Sequence, residues 1–378
     1  MVSLDVESAR RPGDPSEPPA VGSPLAHTPR VADPRHPELP PGPPQSRPIQ
    51  TLAWLSRTGP FLERCRERYG DTFTVRIGGE PTWVMVSHPD AIEQVFKGDP
   101  RIFHAGEGNQ ILRPVLGPSS VLLLDEDEHM AHRKLMLPPF HGERMRAYGD
   151  LMAEVAATEV RRWPAGEPLE LAPRMQAVTL EVIMRAVFGV SEADRLARLR
   201  TALRQALDWT FDMRRVFLLA ALGPRRIERL GLLRRALAPV DELLLEEIRR
   251  RRSDPGVADR DDVMSMLVQA RREDGRPMSD AEVRDELVTL LVAGHETTAT
   301  ALSWALERLV RHPDKLERLR EEVDAGEDAY LDAVIRETLR LRPVLAIVAR
   351  RLTEDAEVAG RLLPAGAVVA PCIYLVHR

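Results

Sequence analysis

The sequence predicts a mainly helical protein with a small β region near each end of its folded part. Three observations carry that reading. From Glu126 to about Arg350, apolar residues recur at helical spacing, interrupted near Pro164, Pro224, Pro255 and Pro277. Thr72–Val86, TFTVRIGGEPTWVMV, alternates and turns at Gly78-Gly79, the pattern of a β-hairpin. Arg350–Tyr374 is strand-like again, with a turn at Pro364-Ala365-Gly366. At 378 residues the chain can bury a large core, in one big domain or two, and no internal repeat divides it.

In chain order, residues 1–48 are proline-rich and poor in aromatics, which predicts a disordered tail followed by one domain over 49–378. Pro89–Phe96 reads as a short helix, and Arg101–Ser120, punctuated by glycine and proline, as a loop. Asp125–Glu128 crowd the start of the next helix, where negative charge suits the helix dipole. The most apolar short run, Val216–Leu222, is far below spanning length; a greasy channel rim and a buried helix turn fit it equally.

Bulk properties exclude several classes. Net charge is −5 and no basic stripe stands out, which argues against nucleic acid. The N-terminus lacks the charged-then-apolar pattern of a secretory signal, and no run is long enough to span a membrane. Two cysteines, Cys65 and Cys372, form neither a disulfide framework nor a zinc spacing, as expected of a cytoplasmic protein.

The most informative stretch is Asp285–Glu307, DELVTLLVAGHETTATALSWALE. Ser279 and Glu282 form a capping-box pattern at the start of its helix, with Pro277 just outside. Glycine inside a helix costs about 1 kcal/mol relative to alanine, and a carboxylate with two hydroxyls in an apolar helix needs partners. Ala293, Glu296 and Thr297 are i, i+3 and i+4, and so share a face; Gly294 borders it and removes a side chain. The expected result is a shallow groove for a flat ligand beside an acid and a hydroxyl. Thr297 can also bond the carbonyl of Ala293 and bend the helix. Zinc protease chemistry is excluded, because His-Glu-x-x-His needs a second histidine where Ala299 stands.

The string Ala293-Gly294-His295-Glu296-Thr297-Thr298 inside a long apolar helix resembles the central helix of cytochrome P450 monooxygenases of the soluble bacterial type. The resemblance runs from about Pro48 to the last residue. It implies haem b as cofactor, with Ala293 and Gly294 against it. Glu296 becomes the acid and Thr297 the hydroxyl of a proton relay. It implies that Glu337 and Arg340, in LDAVIRETLRLRP, form a buried pair locking the core beneath the haem. It implies that His129 and Arg133, one helical turn apart, grip one haem propionate, with His132 a competitor in a less favoured register. Arg350, five residues before Asp355, takes the other propionate. The implied activity inserts one oxygen atom from O2 into a lipophilic small molecule. Electrons come from NAD(P)H through a ferredoxin or flavoprotein reductase, and the protein is expected to be a monomer. Phe103–Leu116, Trp209–Leu222 and Leu345–Val348 are the implied pocket lining.

One part of the family pattern is missing. A P450 holds its iron by a cysteine thiolate, in a Phe-x-x-Gly-x-x-x-Cys loop that occurs nowhere in this sequence. Cys372, in the apolar VVAPCIYLVHR, and Cys65, in FLERCRERYG, lack that setting. No iron ligand is therefore assigned, and the chain is expected to stop before the ligand loop. The alternative is a haem-free, inactive P450-like fragment or a helical binding scaffold.

Overall fold

A computed structural model of the chain describes residues 37–78, 81–189, 193–211 and 231–378. The alternating segment pairs as expected: β1 (Thr72–Val75) and β2 (Trp83–Val86) are antiparallel, with Thr72 opposite Val86. Gly78 has φ +53, while Gly79, the other expected turn residue, lies outside the described residues. The second strand-like segment yields β4 (Arg350–Leu352), β5 (Ala356–Val358), β6 (Arg361–Leu363) and β7 (Val368–Pro371). With β3 (Phe103–His104) they build a five-stranded sheet in the order β1-β2-β7-β4-β3 and a separate β5-β6 hairpin. The expected turn before β7 is present, with Gly366 at φ +82. Only β2 and β7 run parallel, so the two ends of the folded chain meet in one sheet. Alternate residues Phe73, Val75 and Met85 face a small core shared with Phe61, Leu62 and Cys372.

The docked chain starts earlier than residue 49. Thr74 N donates to Pro41 O, Gln50 Nε2 to Pro43 O, and Glu38 N to Leu362 O. Gly42 passes so close to Thr74 that an added Cβ would sit 2.0 Å from its carbonyl oxygen. The first helix, Arg47–Tyr69, is kinked at Arg57 (φ −149°, ψ 55°), just before Pro60, whose missing N–H weakens the ladder there.

The body is helical, as predicted. Its largest core cluster is lined by Leu116, Met184, Phe188, Leu203, Leu244, Ile248, Met264 and Leu287. The long helix Asp280–Arg311 runs through this body and packs along Leu171–Ala186, which lies against Glu143–Val160. Breaks fall near Pro164, Pro255 and Pro277; Pro224 and the apolar run Val216–Leu222 lie outside the described residues. The expected loop Arg101–Ser120 is more ordered than its glycines and prolines indicate. It holds β3 and short helices at Ala105–Gly108 and Arg113–Leu116. Proline suits a helix's first turn, where its absent N–H has no partner to lose, and Pro114 sits there. Gly117, at φ +89, then ends the turn.

Candidate active site

The Asp280–Arg311 helix begins with the expected capping box, in which Ser279 and Glu282 satisfy each other's backbone donors. It stays helical through Gly294. Its middle has two unlike sides. Leu291, His295 and Ala299 are buried, while Ala293 is exposed and Thr297 partly so. Thr297 Oγ1 donates to Ala293 O, which leaves its lone pairs on the open side.

Gly294 is part-exposed, and an added Cβ would sit in ordinary van der Waals contact, 3.4 Å, with Ile183 Cδ1 of the neighbouring helix. Glu296 does not lean toward Thr297. Gln176 Nε2 donates to both its carboxylate oxygens, at 3.1 and 3.2 Å, and draws it to the Leu171–Ala186 helix. There Glu296 lines a cavity of about 570 Å³ with His295, Glu159, Arg174, Gln176 and Arg204. His295 Nδ1 contacts Thr179 Oγ1 at 2.8 Å. Burial pushes His295 below its ordinary value, opposed by Glu296 and reinforced by Arg204.

The basic residues fall into two kinds. His132 is fully committed: its Nδ1 lies 2.8 Å from buried Glu286 Oε1, and its Nε2 lies 3.2 Å from Arg272 Nη2. His129 and Arg133, on the same helix Glu126–Met136, have no acidic partner among the described residues, and Arg133 is exposed. His129 contacts only Val121 O, through Nδ1 at 3.0 Å. Arg350 is half-buried over the Phe96 ring and donates only to Ala349 O, at 2.8 Å. Burial lowers its pKa, and Asp125, the N-cap of the His129 helix, opposes that. Arg351 faces the other way, as strand alternation requires, and pairs with Glu107 at 3.4 Å.

Sequence reasoning missed a buried polar group at the start of the central helix. Asp285, Glu286 and Thr289 are all buried and reach Ser119, Val121 and Ser120. Adjacent acids in an otherwise apolar run were the available signal.

A family model described as Cytochrome P450 matches residues 40–378. The chain belongs to the cytochrome P450 family. A Mycobacterium tuberculosis protein with the provisional name cytochrome P450 135B1 is 47% identical over 350 residues, covering 90% of this chain and 73% of that protein. A second from the same organism, provisionally cytochrome P450 135A1, is 38% identical over 343 residues, covering 90% and 75%. Among solved structures, a retinoic-acid-bound cyanobacterial CYP120A1 has TM-score 0.77 at 24% identity, covering 90% of this chain and 78% of that one. It shows the shared fold.

Membership implies haem b, the redox cofactor of P450 monooxygenases. The open strip at Ala293 and Thr297, and the side chains of His129, Arg133 and Arg350, which form no ion pair among the described residues, fit a flat apolar ligand bearing two carboxylates. The two cysteines do not fit as iron ligands. Both are buried in the packing around the sheet, and burial pushes each thiol up to about 11, against thiolate formation. No cluster of three metal-ligating side chains occurs among the described residues.

The expected buried pair is a further correction for this P450. Arg340 and Glu337 do pair, Nε to Oε2 at 2.7 Å and Nη2 to Oε1 at 2.8 Å, but their side chains are 45% and 55% exposed. The helix that carries them, Ala329–Leu341, also exposes Leu331, Ile335 and Leu339 on a different face. Of the expected pocket lining, Phe103 and Leu116 belong to the core. Ile111, Leu112 and Leu345 are exposed, and 212–222 lie outside the described residues. No described helix is long and apolar enough to cross a membrane.

Proposed function

We propose that this P450 inserts one oxygen atom from O2 into a lipophilic small molecule. Its electrons come from NAD(P)H through a ferredoxin or flavoprotein reductase, and it works as a cytoplasmic monomer. The observation that supports the reading is the open strip at Ala293 and Thr297 together with three basic side chains that form no ion pair among the described residues. When bound, haem supplies the redox iron at which O2 is activated. His129 and Arg133 would hold one of its carboxylates and Arg350 the other; charge-assisted bonds to carboxylate are the strong kind. Thr297 Oγ1, anchored by its own donation to Ala293 O, accepts a bond from water on the open side and so orients a proton donor there. Glu296 stands on the wall of the polar cavity, its carboxylate held there by Gln176, as the acid on that side of the helix.

The test is a haem titration of the full chain, followed by quenching of tryptophan fluorescence. Saturable binding is expected, weakened about tenfold or more by Arg133→Ala and by Arg350→Ala, since each removes a charge-assisted bond. Binding unmoved by either change would sink the carboxylate assignments. No saturable binding would return the chain to the haem-free scaffold. With haem, redox partners and NADPH supplied, Thr297→Ala should divert electrons to peroxide, losing on the order of 10²-fold in coupled product.

A further inference from the structure

One turn of the central helix grips one loop at three consecutive residues. Asp285 Oδ2 accepts from Ser119 N at 2.9 Å, Thr289 Oγ1 lies 2.7 Å from Ser120 Oγ, and Glu286 Oε2 accepts from Val121 N at 3.2 Å. Asp285, Glu286, Thr289 and Ser120 are all buried. Gly117, at the start of the loop, leaves room for the Asp285 carboxylate, since a Cβ there would lie 2.1 Å from Oδ1. The second Glu286 oxygen meets His132 Nδ1 at 2.8 Å. Val121 O in turn lies 3.0 Å from His129 Nδ1. A single carboxylate therefore holds both the residue whose carbonyl contacts His129 and, through His132, the helix that carries it.

The chemistry of that last contact is directional. A carbonyl oxygen only accepts, so the Nδ1 of His129 carries a proton. Nε2, which has no partner among the described residues, is left as the ring's free nitrogen. Protonation of Nε2 makes it a charge-assisted donor, the form that bonds a carboxylate.

We propose that Glu286, seated by Asp285 and Thr289, is a positioning residue for the cofactor: by fixing Val121 through its N–H and the helix that carries His132, it locks His129 with Nδ1–H on Val121 O and Nε2 free for a haem carboxylate. This rests on the reading of His129 as a propionate contact. It adds a residue that touches neither cofactor nor substrate, and a reason for an acid at full burial in an apolar helix.

The test combines a spectrum with an affinity. In protein labelled with ¹⁵N-histidine, long-range proton–nitrogen correlations should show neutral His129 as the Nδ1–H tautomer. Glu286→Leu should release it to a mixture rich in Nε2–H. Glu286→Gln, which keeps an acceptor for Val121 N but turns an amide N–H toward the Nδ1–H of His132, should restore the wild-type tautomer only in part. If Glu286→Leu fails to fold, Thr289→Val loosens the same loop at Ser120 and reads the same signal. Haem affinity should fall about tenfold in Glu286→Leu, the low end for loss of a group that orients a ligand. It should fall no further when Glu286→Leu is added to His129→Phe. An unchanged tautomer in the loosened variants, or full additivity with His129→Phe, overturns the proposal. If His129→Phe alone leaves haem affinity unchanged, the propionate reading fails, and the hold on His129 stands or falls on the tautomer.

Discussion

Two acid–base pairs in this molecule differ in the opposite sense from their motifs. Glu337–Arg340 has the better local geometry, with two short contacts between residues three apart on one helix. Glu286–His132 joins residues 154 apart through one contact of 2.8 Å. Yet the local pair lies open to water, while the distant pair has side chains 0% and 2% exposed. Exposed pairs gain little, because water screens both partners and holds them nearly as well. A buried pair depends on its partner, because nothing replaces it. Burial, which depends on cover from elsewhere in the fold, therefore outweighs the number of contacts.

The largest expected effect follows from the buried pair. Glu286→Ala leaves His132 Nδ1 and Val121 N without their acceptor and adds a cavity at a fully buried site. Unfolding free energy should fall by about 3–5 kcal/mol, measured by urea denaturation. A loss of only a few tenths would mean that the pair exchanges freely with water, and the contrast between the two pairs would disappear.

What the sequence disclosed divides along the same line. Features set by local spacing were legible: the hairpin, the capping box at Ser279, the Thr297–Ala293 hydrogen bond and the opposition of Arg350 to Arg351. The family was legible from one helix and its surrounding motifs. Features set by what packs against a residue were not. Spacing placed Glu296 with Thr297, but Gln176, 120 residues earlier, decides where the carboxylate goes. The direct contacts of Asp285 and Glu286 with the Gly117–Val121 loop cross some 165 positions, beyond any periodicity argument.

A smaller effect sharpens the comparison through pH. His295 is buried at Thr179, and its pKa is depressed from 6.5. In the folded state it binds fewer protons than in the unfolded state between that depressed value and 6.5. Stability therefore falls as pH drops through this window, and the loss is complete once the folded imidazole is protonated. His295→Asn removes the titration while keeping a polar group for Thr179. It should cost roughly 1 kcal/mol near neutral pH, and the deficit relative to the parent should shrink as pH falls below 6.5. Melting temperatures of both proteins across that range read the difference. A constant deficit would show that His295 takes up its proton as readily folded as unfolded, with Glu296 offsetting burial.

The smallest expected effect belongs to the motif pair. Arg340 holds the Glu337 carboxyl below its ordinary range, chiefly by hydrogen bonding; partial desolvation opposes this, and the charge of Arg340 adds a smaller lowering. Arg340→Ala should let Glu337 return toward the ordinary carboxylate value, visible in a carboxyl NMR titration. It also removes the Nη1 bond to His377 O, itself exposed. The urea midpoint should not move measurably, because water takes over every contact that is lost. A destabilisation comparable to that of Glu286→Ala would mean that the Glu337–Arg340 face of Ala329–Leu341 is covered in solution, and the two pairs would be equivalent after all.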